Sequence, residues 1–181
     1  MCLRFVIYTP DNMNKIILRP WKPEDAVQLT FIANNRKIWN NLRDRLPHPY
    51  TQNDAVNWIK FCRNQHPAQN FAVVHGRLVI GSAGLVIKDD IYKKNIEIGY
   101  FIGEPYQGKG AASETVRILL EHIDKNYDAV RIYAEVFAHN KASMRVLQKN
   151  DFYLEGIRRK SAFKNGEMLD EYVWVRIRSQ Y

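Results

Sequence analysis

Hydrophobic and polar positions alternate with period two in several stretches of the chain. In residues 96–102 the even-numbered positions are isoleucine or tyrosine and share one face, whereas Glu97 and Phe101 share the other. Side chains of a strand point to opposite faces in turn, so this pattern predicts a strand with one face in a core. The same pattern predicts strands over residues 15–20, 71–74, 78–88, 130–136, 152–162 and 168–178.

Other stretches carry apolar residues at helical spacing. A proline and two acids at residues 23–25 open a first helix, and Thr51 with Asp54 resembles a capping box at the start of a second. Apolar positions three or four residues apart predict helices over residues 111–126 and 140–150. The order is strand, two helices, three antiparallel strands, helix, strand, helix and two strands. It predicts a single-domain α+β fold, with a mixed, mostly antiparallel twisted sheet and helices on both faces.

Composition limits the class of protein. The chain has 181 residues, 46% hydrophobic and 25% charged, which is typical of one globular domain. No apolar run approaches the roughly 20 residues of a membrane helix. Two cysteines without a C-x-x-C pattern fit a reducing cytoplasm. Met13 looks like a second start, so we expect residues 1–12 to be an N-terminal extension and residues 13–181 to form the domain.

The formal net charge of +8 favours an anionic partner. The basic residues are spread along the chain without an aromatic-interleaved stripe, so nucleic acid is not the expected partner. A multiply phosphorylated small molecule is also an anionic partner that would match the positive net charge. The histidines and cysteines show no ligand spacing. We therefore expect no metal site. The lack of a long apolar run likewise predicts no membrane association.

A glycine-rich stretch, Gln107-Gly108-Lys109-Gly110, separates the strand at 96–102 from the helix at 111–126. The free N–H groups and the dipole of a helix N-terminus attract phosphate, and glycine lets the backbone approach it. Residues 103–110 nearly match the nucleoside-triphosphate loop G-x-x-x-x-G-K-[ST], but Gly110 replaces the hydroxyl residue that would hold magnesium. The dinucleotide pattern G-x-G-x-x-G is absent. The sequence therefore predicts a different phosphate ligand.

The loop resembles the signature of a known family. Gln107, Gly110 and Ala112 match Q-x-x-G-x-[GA], the pyrophosphate-binding pattern of the GNAT superfamily of acyl-CoA-dependent acetyltransferases. The predicted order of strands and helices is also similar to that of the superfamily.

Further stretches extend the resemblance from about residue 15 to the C-terminus. Residues 140–147 and the following Asp151-Phe152 look like the part of the superfamily that closes over the cofactor, although Asp151 replaces the usual glycine. Residues 18–20, 47–55 and 165–174 are similar to the branch of ribosomal-protein N-terminal acetyltransferases.

The resemblance implies an enzyme that moves an acetyl group directly from acetyl-CoA to a primary amine in a ternary complex. The amine would belong to a protein N-terminus or a small molecule. The implied contacts with acetyl-CoA, the only cofactor expected, are Tyr100, Phe101, Ile102, Gln107, Gly108, Lys109, Gly110, Ala111, Ala112, Asn140 and Ser143. The irregular region before the second predicted strand is expected to wall the acceptor pocket, through Trp39, Arg43, Asp44 and Tyr50.

Two residues are candidates for the proton transfers. Many members carry a tyrosine seven residues after the asparagine as the acid for the leaving thiol. That position is Leu147 here, and Ser143 is the replacement that the ribosomal branch implies. An amine acceptor is protonated at neutral pH and must lose a proton before attack, and Glu97 is the expected base, acting directly or through water. A strand that splays at Gly99, where a glycine often marks a bulge, would free backbone N–H groups for the oxyanion.

The sequence leaves other functions open. The missing tyrosine allows a CoA-binding sensor or interaction module without turnover, and the same chemistry would serve a polyamine or an antibiotic amine. A basic nucleic-acid-binding domain is the weakest alternative. An acyl-cysteine route is not expected, because Cys62 falls within a predicted helix that buries it. The chain is expected to be a monomer or a homodimer.

Overall fold

A computed structural model describes residues 15–178, so the predicted extension at residues 1–12 lies outside the described residues. The strands are β1 Ile16–Pro20, β2 Asn70–His75, β3 Leu78–Ile87, β4 Asn95–Ile102, β5 Arg131–Phe137, β6 Tyr153–Lys164 and β7 Glu167–Ile177. The helices are α1 Ala26–Ala33, α2 Arg36–Trp39, α3 Gln52–Arg63, α4 Ala111–Asn126 and α5 Lys141–Gln148. Short 3₁₀ turns at residues 23–25, 90–92 and 104–106 complete the secondary structure of this range.

The strands form one sheet in the order β1-β2-β3-β4-β5-β7-β6. Neighbouring strands are antiparallel except for β4 and β5, which are parallel. A parallel pair needs a crossover connection, and α4 provides it. The predicted mixed, mostly antiparallel sheet is confirmed.

Helices cover both faces of the sheet, and each face has its own hydrophobic cluster. On one face, α4 and α5 bury side chains such as Leu119 and Leu147 against the strands. On the other face, α1 and α3 bury Leu29 and Ile59. The even-numbered residues of β4 belong to or pack against the first cluster, whereas Phe101 packs against the second. The alternation seen in the sequence therefore places the two faces of β4 correctly.

One helix cap forms as the sequence predicts, and one hairpin turn has the backbone conformation that its residues favour. The backbone N–H of Thr51 donates to Asp54 Oδ2 at 2.8 Å, and the N–H of Asp54 donates to Thr51 Oγ1 at 3.2 Å, which completes the capping box of α3. The β6–β7 hairpin turns at Asn165-Gly166, with φ of 53° and 81°. Left-handed backbone at both central residues suits an Asn-Gly turn between antiparallel strands.

Two local features differ from expectation. Residues 36–39 form the short helix α2 within the region expected to be irregular. The side chain of Asn35 caps it by accepting from the N–H groups of Lys37 and Ile38. The register between β3 and β4 runs through Gly99 without a shift, so the expected bulge is absent from this strand pair.

Candidate active site

The parallel strands β4 and β5 diverge in the middle of the sheet. They pair at three positions, the last being Glu97 with Tyr133. Beyond that point β4 continues to Ile102, paired with β3 on one side and, within residues 15–178, with no strand on the β5 side. Backbone groups on the unpaired side require other partners. The two strands therefore separate after Glu97, and this divergence, rather than a bulge at Gly99, leaves a gap that an extended ligand can fill.

The glycine loop follows β4 and leads into α4. Gly108 and Gly110 have φ of 78° and 84°, a left-handed conformation that glycine adopts at little cost. A Cβ at either position would meet no atom within 4 Å, so backbone conformation rather than packing explains the two glycines. Gly110 is also the N-cap of α4, and it offers no side chain to the first-turn N–H groups. These N–H groups are available to an anion.

Some of the other side chains in and after the loop contact the rest of the protein, and others are exposed to solvent. Gln107 Nε2 donates to the carbonyl oxygen of Ile102 at 2.7 Å, which ties the loop to the end of β4. Lys109 is exposed beside the helix N-terminus. Ala111 is buried and Ala112 is half-buried at the start of α4. The side chain of Gln107 thus holds the loop in place, while the backbone of the loop and the side chain of Lys109 face solvent.

The first turn of α5 approaches the other face of the gap. Asn140 caps α5, and its Oδ1 accepts from the N–H of Ser143 at 3.1 Å. The hydroxyl oxygen of Tyr100, on β4, lies 2.9 Å from Ser143 Oγ. Burial raises the pKa of Tyr100 to about 12, so its phenol is protonated at neutral pH. Leu147, at the position of the usual tyrosine, is fully buried in the core.

Glu97 points to the opposite face of β4 from Tyr100. Lys88 Nζ donates to its Oε2 at 2.7 Å, and Arg43 Nη2 donates to its Oε1 at 2.6 Å. The hydroxyl of Tyr133 lies 3.5 Å from Oε2. Burial alone would raise the pKa of Glu97, but the hydrogen bond from Lys88 and the charge of Arg43 outweigh it and hold the pKa below its ordinary value. The carboxylate is therefore ionised at neutral pH, with both oxygens engaged.

Arg43 bridges the two diverging strands. Besides Glu97 on β4, its Nη2 contacts Glu135 Oε2 on β5 at 2.9 Å. The other oxygen of Glu135 accepts from Arg158 on β6. Burial lowers the pKa of Arg43, but the two carboxylates outweigh this effect and raise it above its ordinary value. One cation from the α2–α3 connection thus joins the strands at the point where they separate.

A cavity of about 300 Å³ lies beside this bridge, against the β6–β7 hairpin. Arg43 and Asp44, both predicted to wall the acceptor pocket, line it. Lys164 also lines it, and its buried ammonium lies 2.6 Å from Asp44 Oδ1 and 3.4 Å from the centre of a Trp39 ring. Trp39 does not line the cavity, but its ring contacts Lys164, which does. The remaining lining residues are Glu135, Phe137, Ser161, Ala162, Phe163 and Glu171.

Tyr50 lies apart from the cavity. Its side chain is 3% exposed and belongs to the cluster under α1 and α3, with Trp21 and Ile59. Burial raises the pKa of its phenol well above the ordinary value. The structure places Tyr50 away from this cavity, and its role at the acceptor pocket stays a prediction. A large aromatic ring in an irregular segment gains more from burial in the core than from exposure in a groove, so it anchors the segment.

The structure adds four side chains that the sequence did not single out: Lys88, Tyr133, Glu135 and Glu171. A signal existed for two of them, because Tyr133 and Glu135 alternate on one face of β5 and the register places Tyr133 opposite Glu97. No comparable signal exists for Lys88 or Glu171. Their positions depend on which strands pair, and on register between distant segments.

Neither a metal centre nor a membrane-spanning helix occurs within residues 15–178. No group of three or more His, Cys, Asp or Glu side chains in this range is arranged to hold a metal ion. No helix in the same range is long and apolar enough to cross a bilayer.

Residues 15–153 match a family model, the acetyltransferase (GNAT) domain. The chain therefore belongs to the GNAT family of acetyltransferases. The resemblance drawn from the glycine loop is confirmed, and so are the α+β fold class and the assignment to the acyltransferase class of enzymes.

Relatives and solved structures extend the match over most of the chain. It is 27% identical over 176 residues to YokL, an uncharacterized N-acetyltransferase derived from the SPbeta prophage of Bacillus subtilis, covering 96% of this chain and 94% of the relative. It is 24% identical over 167 residues to the L-amino acid N-acetyltransferase AaaT of Escherichia coli, covering 92% and 100%. The structure of RimL, a ribosomal L7/L12 alpha-N-protein acetyltransferase in complex with coenzyme A, matches with a TM-score of 0.79 at 22% identity, covering 90% of this chain and 93% of that one.

Proposed function

We propose that this enzyme transfers an acetyl group from acetyl-CoA directly to a primary amine in a ternary complex. The observation that carries the proposal is the gap that opens between β4 and β5 after Glu97, with candidate groups on both faces of the sheet beside it. The ionised carboxylate of Glu97 lies on one face, and the Ser143–Tyr100 pair lies on the other. A nucleophile from one side can therefore meet a thioester from the other.

The residues beside the gap fit acetyl-CoA. Gly108 and Gly110 hold the loop in the left-handed conformation, and the first-turn N–H groups of α4 are uncapped, which suits a pyrophosphate. Lys109 adds a positive charge. Residues 100–102 lie on the unpaired edge of β4, which can hydrogen-bond the amide-bearing arm of the cofactor, with Ser143 near its thioester end. When bound, acetyl-CoA supplies the activated acetyl group.

Glu97 is proposed to hold the acceptor ammonium and to receive its proton. Its lowered pKa favours binding of a cation over removal of a proton, because a weakly basic carboxylate does not deprotonate a free ammonium to a useful extent. Proton loss is therefore expected to accompany the attack of the nitrogen, directly or through one water. Backbone N–H groups on the free edge of β4 near Gly99 are proposed to stabilise the oxyanion. Arg43, Asp44 and Trp39 remain proposed residues of the acceptor side.

Ser143 is proposed to donate to the departing thiolate. Tyr100 can donate a hydrogen bond to Ser143, since its protonated hydroxyl lies within hydrogen-bond distance of Ser143 Oγ. This pair offers a hydroxyl proton where Leu147 leaves none. The absence of the usual tyrosine was the reason for considering a sensor without turnover, and the Ser143–Tyr100 pair is the proton donor proposed in its place.

Thiol release from acetyl-CoA, measured with a panel of primary amines and followed by mass spectrometry of the products, tests the proposal. We expect thiol release only when an amine is present, with one acetylated amine formed for each thiol. Tight binding of acetyl-CoA without thiol release for any amine would contradict the proposal and favour the sensor.

A further inference from the structure

The guanidinium of Arg43 occupies the position where an acceptor ammonium is expected. It lies 2.6 Å from a Glu97 oxygen and 2.9 Å from a Glu135 oxygen, one carboxylate from each diverging strand. A primary ammonium carries the same charge and donates three hydrogen bonds. Arg43 therefore marks a site at the gap where two carboxylates bind one cation.

The carboxylates of this site are buried, whereas the cation that bridges them is exposed. The side chains of Glu97 and Glu135 are 13% and 14% exposed, but that of Arg43 is 59% exposed. Lys88, which is 29% exposed, holds the other oxygen of Glu97 and does not reach Glu135 within ion-pair distance. A buried carboxylate on a central strand stays in place, because the paired backbone fixes its position. An exposed arginine can turn into solvent at small cost, because exposed ion pairs contribute little stability. Another cation can therefore replace the guanidinium of Arg43 between the two carboxylates.

A third carboxylate, that of Glu171 on β7, lines the adjoining cavity. The residue is 8% exposed, and its Oε2 accepts from Ser161 Oγ at 2.8 Å. It forms no ion pair within the described part of the chain. Glu135 pairs in register with Val173, so Glu171 is its diagonal neighbour on the same face, at about 7–8 Å between Cα atoms. That spacing suits two ammonium groups joined by a short alkyl chain.

We propose that the acceptor is a short-chain diamine or polyamine, with one ammonium between Glu97 and Glu135 in place of Arg43 and a second ammonium at Glu171. The proposal rests on the proposed function and names its acceptor class. The ammonium at Glu97 is the one that is acetylated, because it lies at the gap. The ammonium at Glu171 stays charged and fixes the orientation of the chain.

An acceptor that carries a carboxylate, such as an amino acid, fits the cavity less well. Its carboxylate would face Glu171, which carries the same charge, and the buried cation of the lining, Lys164, is already bound by Asp44. Glu171 forms no ion pair among residues 15–178, and the cation whose charge it feels is Arg43, so displacement of Arg43 leaves a buried negative charge uncompensated, which is costly. The cavity is therefore completed by a cation.

Steady-state thiol release with n-butylamine and putrescine tests the proposal, since the two share a carbon chain and differ by the second amine. The wild type is expected to show a kcat/KM for putrescine at least roughly tenfold above that for n-butylamine, the factor for one charge-assisted contact. Glu171→Gln should reduce this ratio to near one. Asp170→Asn is the control, because Asp170 pairs with Arg159 on the opposite face of β7.

Two further variants separate binding at the gap from binding at Glu171. Glu135→Gln should raise the KM of both amines by roughly tenfold and leave the KM of acetyl-CoA unchanged. Arg43→Ala should lower the KM of both amines, because it removes the internal cation that competes for the site. Calorimetry of putrescine with the CoA-bound enzyme gives the same comparison without turnover, and thermal unfolding shows that each variant is folded.

The outcomes are distinguishable. A wild-type enzyme that acetylates n-butylamine or a peptide N-terminus but shows no preference for putrescine would overturn the diamine proposal and leave the proposed function intact. An unchanged preference in Glu171→Gln would do the same. An enzyme that binds acetyl-CoA and releases no thiol with any amine would overturn the proposed function itself, and the acceptor class with it.

Discussion

The proposed cofactor side and the proposed acceptor side of the gap are built from different parts of the protein. The cofactor side is mostly backbone: the loop with Gly108 and Gly110, the uncapped start of α4 and the free edge of β4. The acceptor side is mostly long charged side chains from separate elements. They are Arg43, Lys88, Glu97, Glu135, Arg158, Lys164 and Glu171.

This difference determines how each side tolerates change. A backbone cradle depends on conformation at a few positions, so it is preserved by two glycines and a helix start in a fixed order. A charged network depends on each side chain separately, and one substitution can alter the acceptor while the fold and the cradle stay the same. We therefore expect variants on the first side to change acetyl-CoA binding, and variants on the second to change amine kinetics.

The largest effect on acetyl-CoA binding is expected at the loop. Gly110→Asp places a β-carbon and a negative charge where the phosphate would bind, so acetyl-CoA affinity should fall by roughly a hundredfold or more. Calorimetry measures this affinity. Gly166→Asp is the matched control, because Gly166 also has a left-handed φ, of 81°, and a β-carbon there would meet no atom within 4 Å, but it lies in the β6–β7 turn. Equal losses in the two variants, or tight magnesium-ATP binding by the wild type, would contradict the cofactor assignment.

The next effect is expected at the carboxylate of the gap. Glu97→Gln keeps the size of the side chain but removes its charge and basicity, so kcat/KM for the amine should fall roughly 10²–10⁴-fold. Part of the loss should return at high pH, where more amine is already deprotonated. Initial rates from neutral to alkaline pH measure both effects. Glu121→Gln, which alters an exposed ion pair on α4, should be silent, and unchanged turnover of Glu97→Gln at neutral pH would rule out its role.

A smaller effect is expected at the thiolate side. Ser143→Ala should lower kcat by roughly 10–100-fold, the range for one hydrogen bond to a charged group, with no change in the pH profile. Tyr100→Phe removes the partner of Ser143 at 2.9 Å and should lower kcat in the same direction by less. Single-turnover rates at saturating acetyl-CoA measure the step. Tyr92→Phe, at an exposed tyrosine, serves as the control, and normal rates in both test variants would show that solvent protonates the thiolate.

The smallest kinetic effect is expected at Tyr50. Because its ring lies in the core, Tyr50→Phe should leave the KM of both substrates nearly unchanged, whereas Tyr50→Ala should lower the free energy of unfolding by about 3–5 kcal/mol. Urea denaturation and amine kinetics on the same preparations make the comparison. A selective rise in the amine KM for Tyr50→Phe would return Tyr50 to the acceptor side.

The same difference explains how far the sequence could predict the site. The cradle was predictable because local spacing reports on local structure: alternation in residues 96–102, then Gln107 to Gly110, then a helix. Glu97 was also predictable, since its face of β4 follows from alternation. The splay was expected at Gly99 from a glycine in a strand, but the associated bulge was not found between β3 and β4.

The acceptor side was only partly predictable, because it depends on pairing between distant segments. Arg43 and Asp44 lie on the cavity, yet nothing local shows that Arg43 would bridge Glu97 and Glu135. Glu171 reaches the same face only through the register of β5 with β7. The burial of Tyr50 could not be predicted, because an aromatic residue in an irregular segment can line a groove or anchor the segment, and composition does not distinguish the two.

A crystal structure of the enzyme with coenzyme A and putrescine tests the central claim most directly. We expect the thiol end of coenzyme A in the gap between β4 and β5, near Ser143. We expect one nitrogen of putrescine at hydrogen-bond distance, about 2.7–3.2 Å, from both Glu97 and Glu135, with Arg43 turned away. Coenzyme A bound away from the gap, or an amine bound elsewhere while Arg43 still bridges the two glutamates, would contradict the account.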